Sequence, residues 1–378
     1  MELYIHIPFC IRKCAYCDFL SFPSAEEERK RYVKALLEEI YGAEERGDVV
    51  TIFFGGGTPS ILAGQEILRI MDVVREKYSV ARDAEITLEA NPGTLTKEKL
   101  EAWKEAGVNR LSIGLQSAEN EELKVLGRIH TWEEFLEGYQ MARNVGFQNI
   151  NVDLMSALPG QSGRTWRETL GKVAELNPEH ISAYSLMVEE GTPFYEKYAG
   201  DVSRREKGME CEFLPSEEEE RRMYEDTEKI LRKNGYRRYE ISNYAREGYE
   251  CRHNCGYWQR VNYRGFGLGA SSLINEVRFR NTADLNKYLA HDFARREEEI
   301  LSVQAQMEEF MFLGLRLMRG ISTATFETYF GRSYDRVYGE VSRRLEEKGL
   351  LSRKGDRVFL TDRGIDVSNC VLAEFLLS

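Results

Sequence analysis

LYIHIPFCIRKCAYCDF (residues 3–19) alternates apolar and polar side chains as far as Ile7, then places Cys10, Cys14 and Cys17 within eight residues. The first half has the period of two expected of a strand. The second half is a cysteine loop at the end of that strand. The chain has only seven cysteines in 378 residues, so three in one loop need a chemical reason. An odd count argues against a disulfide framework. The opening MELYIHIPFC lacks the basic-then-apolar pattern of a signal peptide, which points to the cytoplasm, where thiols stay reduced. The clustered thiols therefore read as ligands for a soft metal or an iron–sulfur cluster. Three cysteines can hold three corners of a [4Fe–4S] cube and leave the fourth iron open to an exogenous ligand. Zinc is the competing reading, although structural zinc wants four closed ligands, typically as two separated pairs. His6 is a fourth ligand in principle, but its place in an alternating strand suits a barrel-interior or packing role. Three unligated buried thiols are the remaining alternative.

Outward from the loop, strand and helix signals alternate. Ser24 and Glu27 read as a capping box before a helix with Val33, Leu36, Leu37 and Ile40 at helical spacing. TIFFGG (51–56) is a short apolar strand ended by glycines, and Ile67, Leu68, Met71 and Val74 mark a second helix. EITLEAN (85–91), RLSIGLQS (110–117), INVDLMSA (150–157) and HISAYSL (180–186) are further strands. Helices are expected near 96–106, in two shorter pieces after residue 117 (the second begun by Thr131 and Glu134), and between 157 and 180. Strands joined by helices imply parallel pairing with right-handed crossovers. Both an open barrel of the TIM type and a doubly wound sheet fit, and in either the functional groups belong at the C-terminal ends of strands.

Beyond residue 200 a loop is expected over 200–215, then a helix from the capping pair Ser216 and Glu219 to about 234, and a strand over 239–245. Residues 250–275 are rich in glycine and aromatics. Helices over 303–318, 322–330 and 334–348 and the hairpin GLLSRKGDRVFLTDRG suggest a small winged-helix-like domain. The organisation read from the sequence is therefore 1–200, 201–300 and 301–378. A net charge of −11, from 52 basic and 63 acidic residues, argues against broad binding to nucleic acid or anionic membrane. A packing or docking role for the last domain follows. No apolar run approaches a membrane span.

Polar groups recur at the strand ends. FFGGGTP (53–59) leaves backbone groups of Gly56 and Gly57 uncovered before Thr58, so a ligand can approach the main chain; a tight turn is the simpler reading. Glu89, Gln116 and Asp153 end otherwise apolar strands, where an unpaired charge is costly. Structural hydrogen bonding explains any one of them. Three at equivalent places, on the rim that carries the cysteines and glycines, favour a shared ligand. Arg128 in LGRIH is either a bidentate carboxylate partner or a surface arginine.

Cys10-x3-Cys14-x2-Cys17 after a first strand, with Tyr16 before the last cysteine, resembles the radical S-adenosylmethionine (SAM) superfamily. There the cluster's open iron binds SAM, and the protein supplies binding and orientation. LYIHIPFC, FFGGGTPS, ITLEANPGT, GVNRLSIGLQS, LGRIH and NVDLM with ALPGQ together are similar to the coproporphyrinogen dehydrogenase-like family within it. The resemblance implies an α/β fold with a partial, open barrel of about six βα units. It implies a [4Fe–4S] cluster on Cys10, Cys14 and Cys17, and a SAM site lined by Tyr4, Tyr16, Gly56, Gly57, Thr58, Glu89, Gln116, Arg128 and Asp153.

The family has two branches, an oxygen-independent coproporphyrinogen III dehydrogenase of heme synthesis and a heme chaperone. The dehydrogenase carries a further cysteine two positions after the third, where this chain has Phe19, and a longer N-terminal extension, where this chain has nine residues before Cys10. CRHNCGYW (251–258) resembles the HNxxYW motif of the chaperone branch, with His253, Asn254, Tyr257 and Trp258. By that resemblance His253 is the heme ligand; imidazole is a good axial ligand and aromatics stack on a macrocycle. A packed core histidine is the alternative, and thiolate ligation by Cys251 or Cys255 a rival. Cys211 and Cys370 read as packing cysteines. The expectation is a radical-SAM-type heme chaperone without coproporphyrinogen dehydrogenase activity, with SAM cleavage open to it. Its expected partners are heme and heme-accepting proteins, with membrane-associated respiratory proteins and a second copy of the chain as candidates. The dehydrogenase, or a zinc-bound interaction module, is the alternative.

Overall fold

The computed structural model describes residues 1–377, the side chain of Glu206 excepted. Six parallel strands lie side by side in chain order: β1 (Glu2–Ile7), β2 (Asp48–Gly56), β3 (Ser79–Ala90), β4 (Arg110–Gln116), β5 (Ile150–Ser156) and β6 (His180–Ser185). The crossovers run through α1 (Glu26–Gly42), α2 (Gly64–Lys77), α3 (Lys97–Glu105), α4 (Asn120–Leu126), α5 (Trp132–Val145) and α6 (Gly163–Glu175). Alternation within each strand builds two layers. Leu3, Ile5 and Ile7 of β1, with Ile52, Leu88, Leu111, Val152 and Ile181 of its neighbours, enter the main apolar core with the helices. The intervening positions, among them Glu2, Tyr4, His6, Glu89, Ser112, Asp153 and Ser182, leave the other face polar. A sheet with apolar residues on one side and hydrogen-bonded polar residues on the other curls around the polar side. It stays open, because further strands continue both edges instead of closing them.

Those strands come from residues 237–300. β7 (Arg237–Glu240) and β8 (Asn243–Ala245) add an antiparallel hairpin beyond β6. β9 (Tyr263–Phe266) pairs parallel with β1, and β10 (Ser271–Ile274), β11 (Val277–Arg280) and β12 (Arg296–Ile300) follow it antiparallel. The result is one twelve-stranded sheet. Residues 201–300 thus extend the barrel sheet at both edges, and Met223, Leu231, Tyr244, Phe266 and Tyr288 sit in its core. The attachment to α1 is polar and buried. Glu39 accepts from Tyr288 Oη at 2.7 Å, Asn281 Nδ2 at 2.8 Å, the Gly267 N–H at 2.9 Å and Arg264 Nη2 at 3.2 Å.

The C-terminal unit has its own core, including Met311, Phe326, Tyr334, Tyr338, Val358 and Phe375. It consists of α11 (Val303–Gly314), α12 (Thr323–Phe330), α13 (Tyr334–Glu347) and a three-stranded sheet of Ile321–Ser322, Arg357–Leu360 and Leu351–Lys354. It is tied to the sheet by Arg260, which is buried and paired with Glu276 and Glu309, and by the Met318 N–H bonding to Tyr239 O at 2.9 Å. Among the described residues no helix is long and apolar enough to cross a membrane.

Several local expectations change. The capping boxes at Thr131 with Glu134 and at Ser216 with Glu219 are present. That at Ser24 is not: Ala25 is the N-cap, one residue later, and three glutamates in the first turn complement the helix dipole instead. The loop expected from residue 200 begins only after α7 (Pro193–Glu206), which starts at the cap Thr192 with Pro193 at its first position. The strand expected over 239–245 is the hairpin β7–β8, turned at Glu240, whose Oε1 accepts from the Ser242 N–H at 2.8 Å. Residues 252–258 form a short helix, α9 (Arg252–Trp258). Cys370 is exposed instead of packed, and Cys211 is half-buried with its thiol donating to Asp201 O at 3.5 Å.

Candidate functional site

The loop after β1 carries the three thiols to the C-terminal end of the barrel. Cys10 is buried, and Thr58 Oγ1 donates to its sulfur at 3.4 Å. Arg128 Nη1 donates to Cys14 Sγ at 3.6 Å, while its Nη2 donates to Gly114 O. Burial pushes the Cys17 thiol up. Among the described residues no three His, Cys, Asp or Glu side chains close on a single-ion site. The three thiols instead share the wall of one cavity of about 360 Å³.

The same cavity is lined by Tyr16, Gly56, Gly57, Thr58, Glu89, Gln116, Arg128 and Asp153. Eleven residues separated by up to 143 positions thus line one cavity, and all but Arg128, which follows α4, lie in the C-terminal half of a parallel strand or in the loop after it. The glycine turn is shaped by close approach. The Gly57 N–H bonds Ile7 O and the Thr58 N–H bonds Phe9 O, both at 2.8 Å. A Cβ on Gly57 would lie 2.8 Å from Phe9 O, next to Cys10, and Gly56 holds φ +112 with its N–H donating to Glu89 Oε2 at 3.1 Å. A side chain on Gly57 would displace the start of the cysteine loop, and one on Gly56 would collide with the His6 ring.

Glu89 is buried, and that burial, followed by the charge of Asp153, pushes its carboxyl from an ordinary 4.5 up to about 8. Burial raises Asp153 too, against hydrogen bonds from Asn151 Nδ2 at 2.7 Å and Ser112 Oγ at 3.1 Å. Gln116 bends the chain with φ 74. Its Oε1, Asn91 Oδ1 and Arg128 Nε are buried without hydrogen-bond partners. Orphaned polar atoms around a cavity call for a polar guest. Two acids able to hold negative charge, a bare backbone turn and three thiols suit a cationic, amine-bearing molecule beside a cluster.

Sequence reasoning missed Asn91, Ser112, Tyr184, Met187 and Glu189, which line the same cavity. Ser112 and Tyr184 occupy polar-face positions of β4 and β6, so the period of two could have found them. Tyr4 does not line this cavity, although a Cβ on Gly55 would touch both its ring and Glu89, at 3.0 and 3.2 Å. It bonds His6 Nδ1 at 3.0 Å, stacks on Phe53, and lines a second cavity with His6, Tyr257 and Tyr263.

His253 is at the opposite end of the barrel. It is buried, with Nδ1 on Thr51 Oγ1 at 2.7 Å, Nε2 on Tyr257 Oη at 3.0 Å, and its ring 5.1 Å from that of Phe53. Burial, then the charge of Arg110, lowers its pKa to about 3, so it is neutral. Glu85 accepts from the N–H groups of Arg252 and His253, both at 3.1 Å, so α9 plugs the N-terminal mouth of the barrel. A heme ligated by His253 would have to break one of its two ring hydrogen bonds.

The radical SAM superfamily description matches residues 4–173, and that of the HemN C-terminal domain matches residues 301–367. Over nearly its whole length the chain is similar to proteins named heme chaperone HemW. It is 38% identical to that of Lactococcus lactis over 99% of this chain and 97% of the relative. It is 38% identical to that of Bacillus subtilis over 99% and 98%, and 34% identical to that of Escherichia coli over 100% and 98%. Among solved structures it superposes on the radical SAM enzyme coproporphyrinogen III oxidase (HemN) from Escherichia coli with TM-score 0.83 and 23% identity, covering 99% of this chain and 89% of that one. At that identity the superposition establishes the shared fold.

Proposed function

The chain belongs to the HemW family of the radical SAM superfamily, and from that premise we propose that it binds heme and passes it to acceptor hemoproteins, in the cytoplasm, with a [4Fe–4S] cluster on Cys10, Cys14 and Cys17 and SAM bound beside it. The observation that carries the cofactor set is the single cavity uniting the three thiols, the glycine turn and the Glu89–Asp153 pair. The cluster, when bound, offers one iron to SAM and can deliver an electron to it. The chain's residues do the rest: Gly56 and Gly57 admit the ligand to the backbone, Glu89 and Asp153 face its cationic end, and Gln116 and Arg128 offer unused hydrogen-bonding atoms. Phe19, exposed at the cavity mouth, stands where the dehydrogenase branch has its extra cysteine. The test is an anaerobic hemin titration of the cluster-loaded protein, followed by transfer to an apo-hemoprotein, beside a coproporphyrinogen turnover assay. Hemin binding and transfer without porphyrin formation is expected; turnover of coproporphyrinogen would establish the dehydrogenase reading instead.

Glu89 makes SAM binding dependent on pH. With a carboxyl titrating at about 8, the empty site is mostly protonated at neutral pH. A cationic ligand prefers the carboxylate and draws the proton off. SAM affinity should therefore rise from pH 6 to pH 8 and level off above, with proton release measurable by calorimetry in buffers of different ionisation heat. Glu89→Gln should bind more weakly and flatten the profile. Without ligand the sign for stability is the reverse: the folded state holds this proton more tightly than the unfolded one, so the contribution falls as pH rises from 4.5 through about 8. SAM should consequently raise Tm more at pH 8 than at pH 6. A pH-independent SAM affinity would remove Glu89 from the binding site.

A further inference from the structure

We propose that the cavity beneath α9, at the N-terminal end of the barrel, is a metalloporphyrin site in which the Cys255 thiol is the axial ligand and Arg252 and Arg319 hold the propionates. The proposal rests on the heme-chaperone reading and places its cargo. The cavity has a volume of about 660 Å³ and lies where the barrel mouth, the β7–β8 hairpin and the C-terminal unit meet. That is within the usual range for a site enclosing a small molecule, and junctions of this kind are common places for one.

Its walls have the chemistry a porphyrin dianion needs. In a chain of net charge −11, Arg237, Arg238, Arg252 and Arg319 all border this one cavity. Arg238 is engaged by Glu228 and Asp362. Arg252 is half-exposed and held only by Asp83, donating to its backbone O at 2.6 Å and approaching its carboxylate at 3.6 Å, and Arg319 forms no ion pair among the described residues. Both side chains are solvent-exposed, so Arg319 can turn toward a carboxylate directly and Arg252 by exchanging its exposed contact with Asp83. Leu317, Met318 and Val261 supply an apolar wall for the macrocycle. Glu2, which also borders the cavity, is buried, and its Oε2 has no hydrogen-bond partner. Burial raises that carboxyl to about 8, so it does not oppose an anion at neutral pH.

Helix geometry selects the ligand. Two residues apart on a helix of 3.6 residues per turn, His253 and Cys255 point in nearly opposite directions. His253 faces the barrel interior with both nitrogens occupied. Cys255 faces the cavity, half-buried and outside any disulfide. Burial, against the pull of Arg319, raises its thiol to about 12. Binding ferric iron releases that proton to solvent and directs a thiolate lone pair to the metal. Because the cavity and the three-cysteine loop lie at opposite ends of the strands, heme and cluster occupy the chain together.

The test titrates cluster-loaded full-length protein with hemin, read by Soret absorbance, by electron paramagnetic resonance of the ferric heme, and by the Soret position of the ferrous carbonyl. The wild type should show the thiolate signature. Cys255→Ser should lose it and bind hemin at least roughly tenfold more weakly. Arg252→Ala with Arg319→Ala should keep the signature and lose roughly tenfold per arginine. Iron–sulfur absorbance should be unchanged throughout. The arginine pair carries the test alone if Cys255→Ser does not fold. Unaltered hemin affinity in the arginine variant, an unaltered heme spectrum in Cys255→Ser, or loss of heme only in His253→Ala overturns the proposal. Absence of hemin binding by the wild type overturns instead the chaperone reading on which it stands.

Discussion

Cys14→Ala should abolish the broad visible iron–sulfur absorbance of anaerobically reconstituted protein and remove nearly all acid-labile sulfide. A cube held by three thiolates cannot lose one corner and stay bound when its remaining corner faces an exchangeable small molecule. Cys14 is also the thiol that Arg128 addresses, at 3.6 Å, so its removal takes away the sulfur with a guanidinium at hand. SAM cleavage under reducing conditions should fall below detection. Cys211→Ala is the matched control: its thiol bonds Asp201 O, and full iron and sulfide content is expected. Retention of the absorbance in Cys14→Ala, or zinc without sulfide in the wild type, would defeat the ligand assignment.

The second large effect is on folding. Glu39→Ala should cost about 3 kcal/mol, the lower end of the usual penalty for breaking a buried charge pair, because Arg264 keeps a second, longer contact to Glu45 at 3.6 Å. The carboxylate is almost wholly buried, Arg264 beside it is only 7% exposed, and three further donors converge on it. Tyr32, from the same helix, reinforces the joint: its hydroxyl donates to His6 O at 2.7 Å and accepts from the Leu268 N–H at 2.9 Å. These contacts fasten residues 264–288 to α1 and to the first strand. Equilibrium urea unfolding should therefore show a lower midpoint for Glu39→Ala, with Glu39→Gln less affected because it keeps a hydrogen-bonding end. An unchanged midpoint would mean that the β9–β12 edge contributes little to the stability of the barrel.

Most of the barrel was legible because its signals are local. Strands with a period of two, separated by helices with apolar positions three and four apart, leave few other arrangements. The misses are local too. Thr192-Pro193 is a helix start that lies inside a glycine-flanked stretch resembling a loop. Ser24 has the right partner three residues on, but α1 starts one residue too late for it to cap. The edge strands β9–β12 escaped notice because they are short and glycine-interrupted, with neighbours supplied from distant parts of the chain.

The sequence by itself determined the rim of the cysteine-lined cavity. A parallel βα series forces every strand end to one side, so the cysteine loop, the glycine turn, Glu89, Gln116 and Asp153 had to converge wherever the sheet was folded, whereas Arg128 reaches them from beyond α4. The tertiary structure alone decided what lies at the other end. There α9 turns His253 inward onto Thr51 and Tyr257 and leaves Cys255 outward beside Arg252 and Arg319. That sorting depends on how a seven-residue helix seats in the barrel mouth and on where residues 317–319 dock against it. Periodicity reports which face of an element is apolar. It does not report which remote segment covers the other face, because that is set by packing between residues hundreds of positions apart.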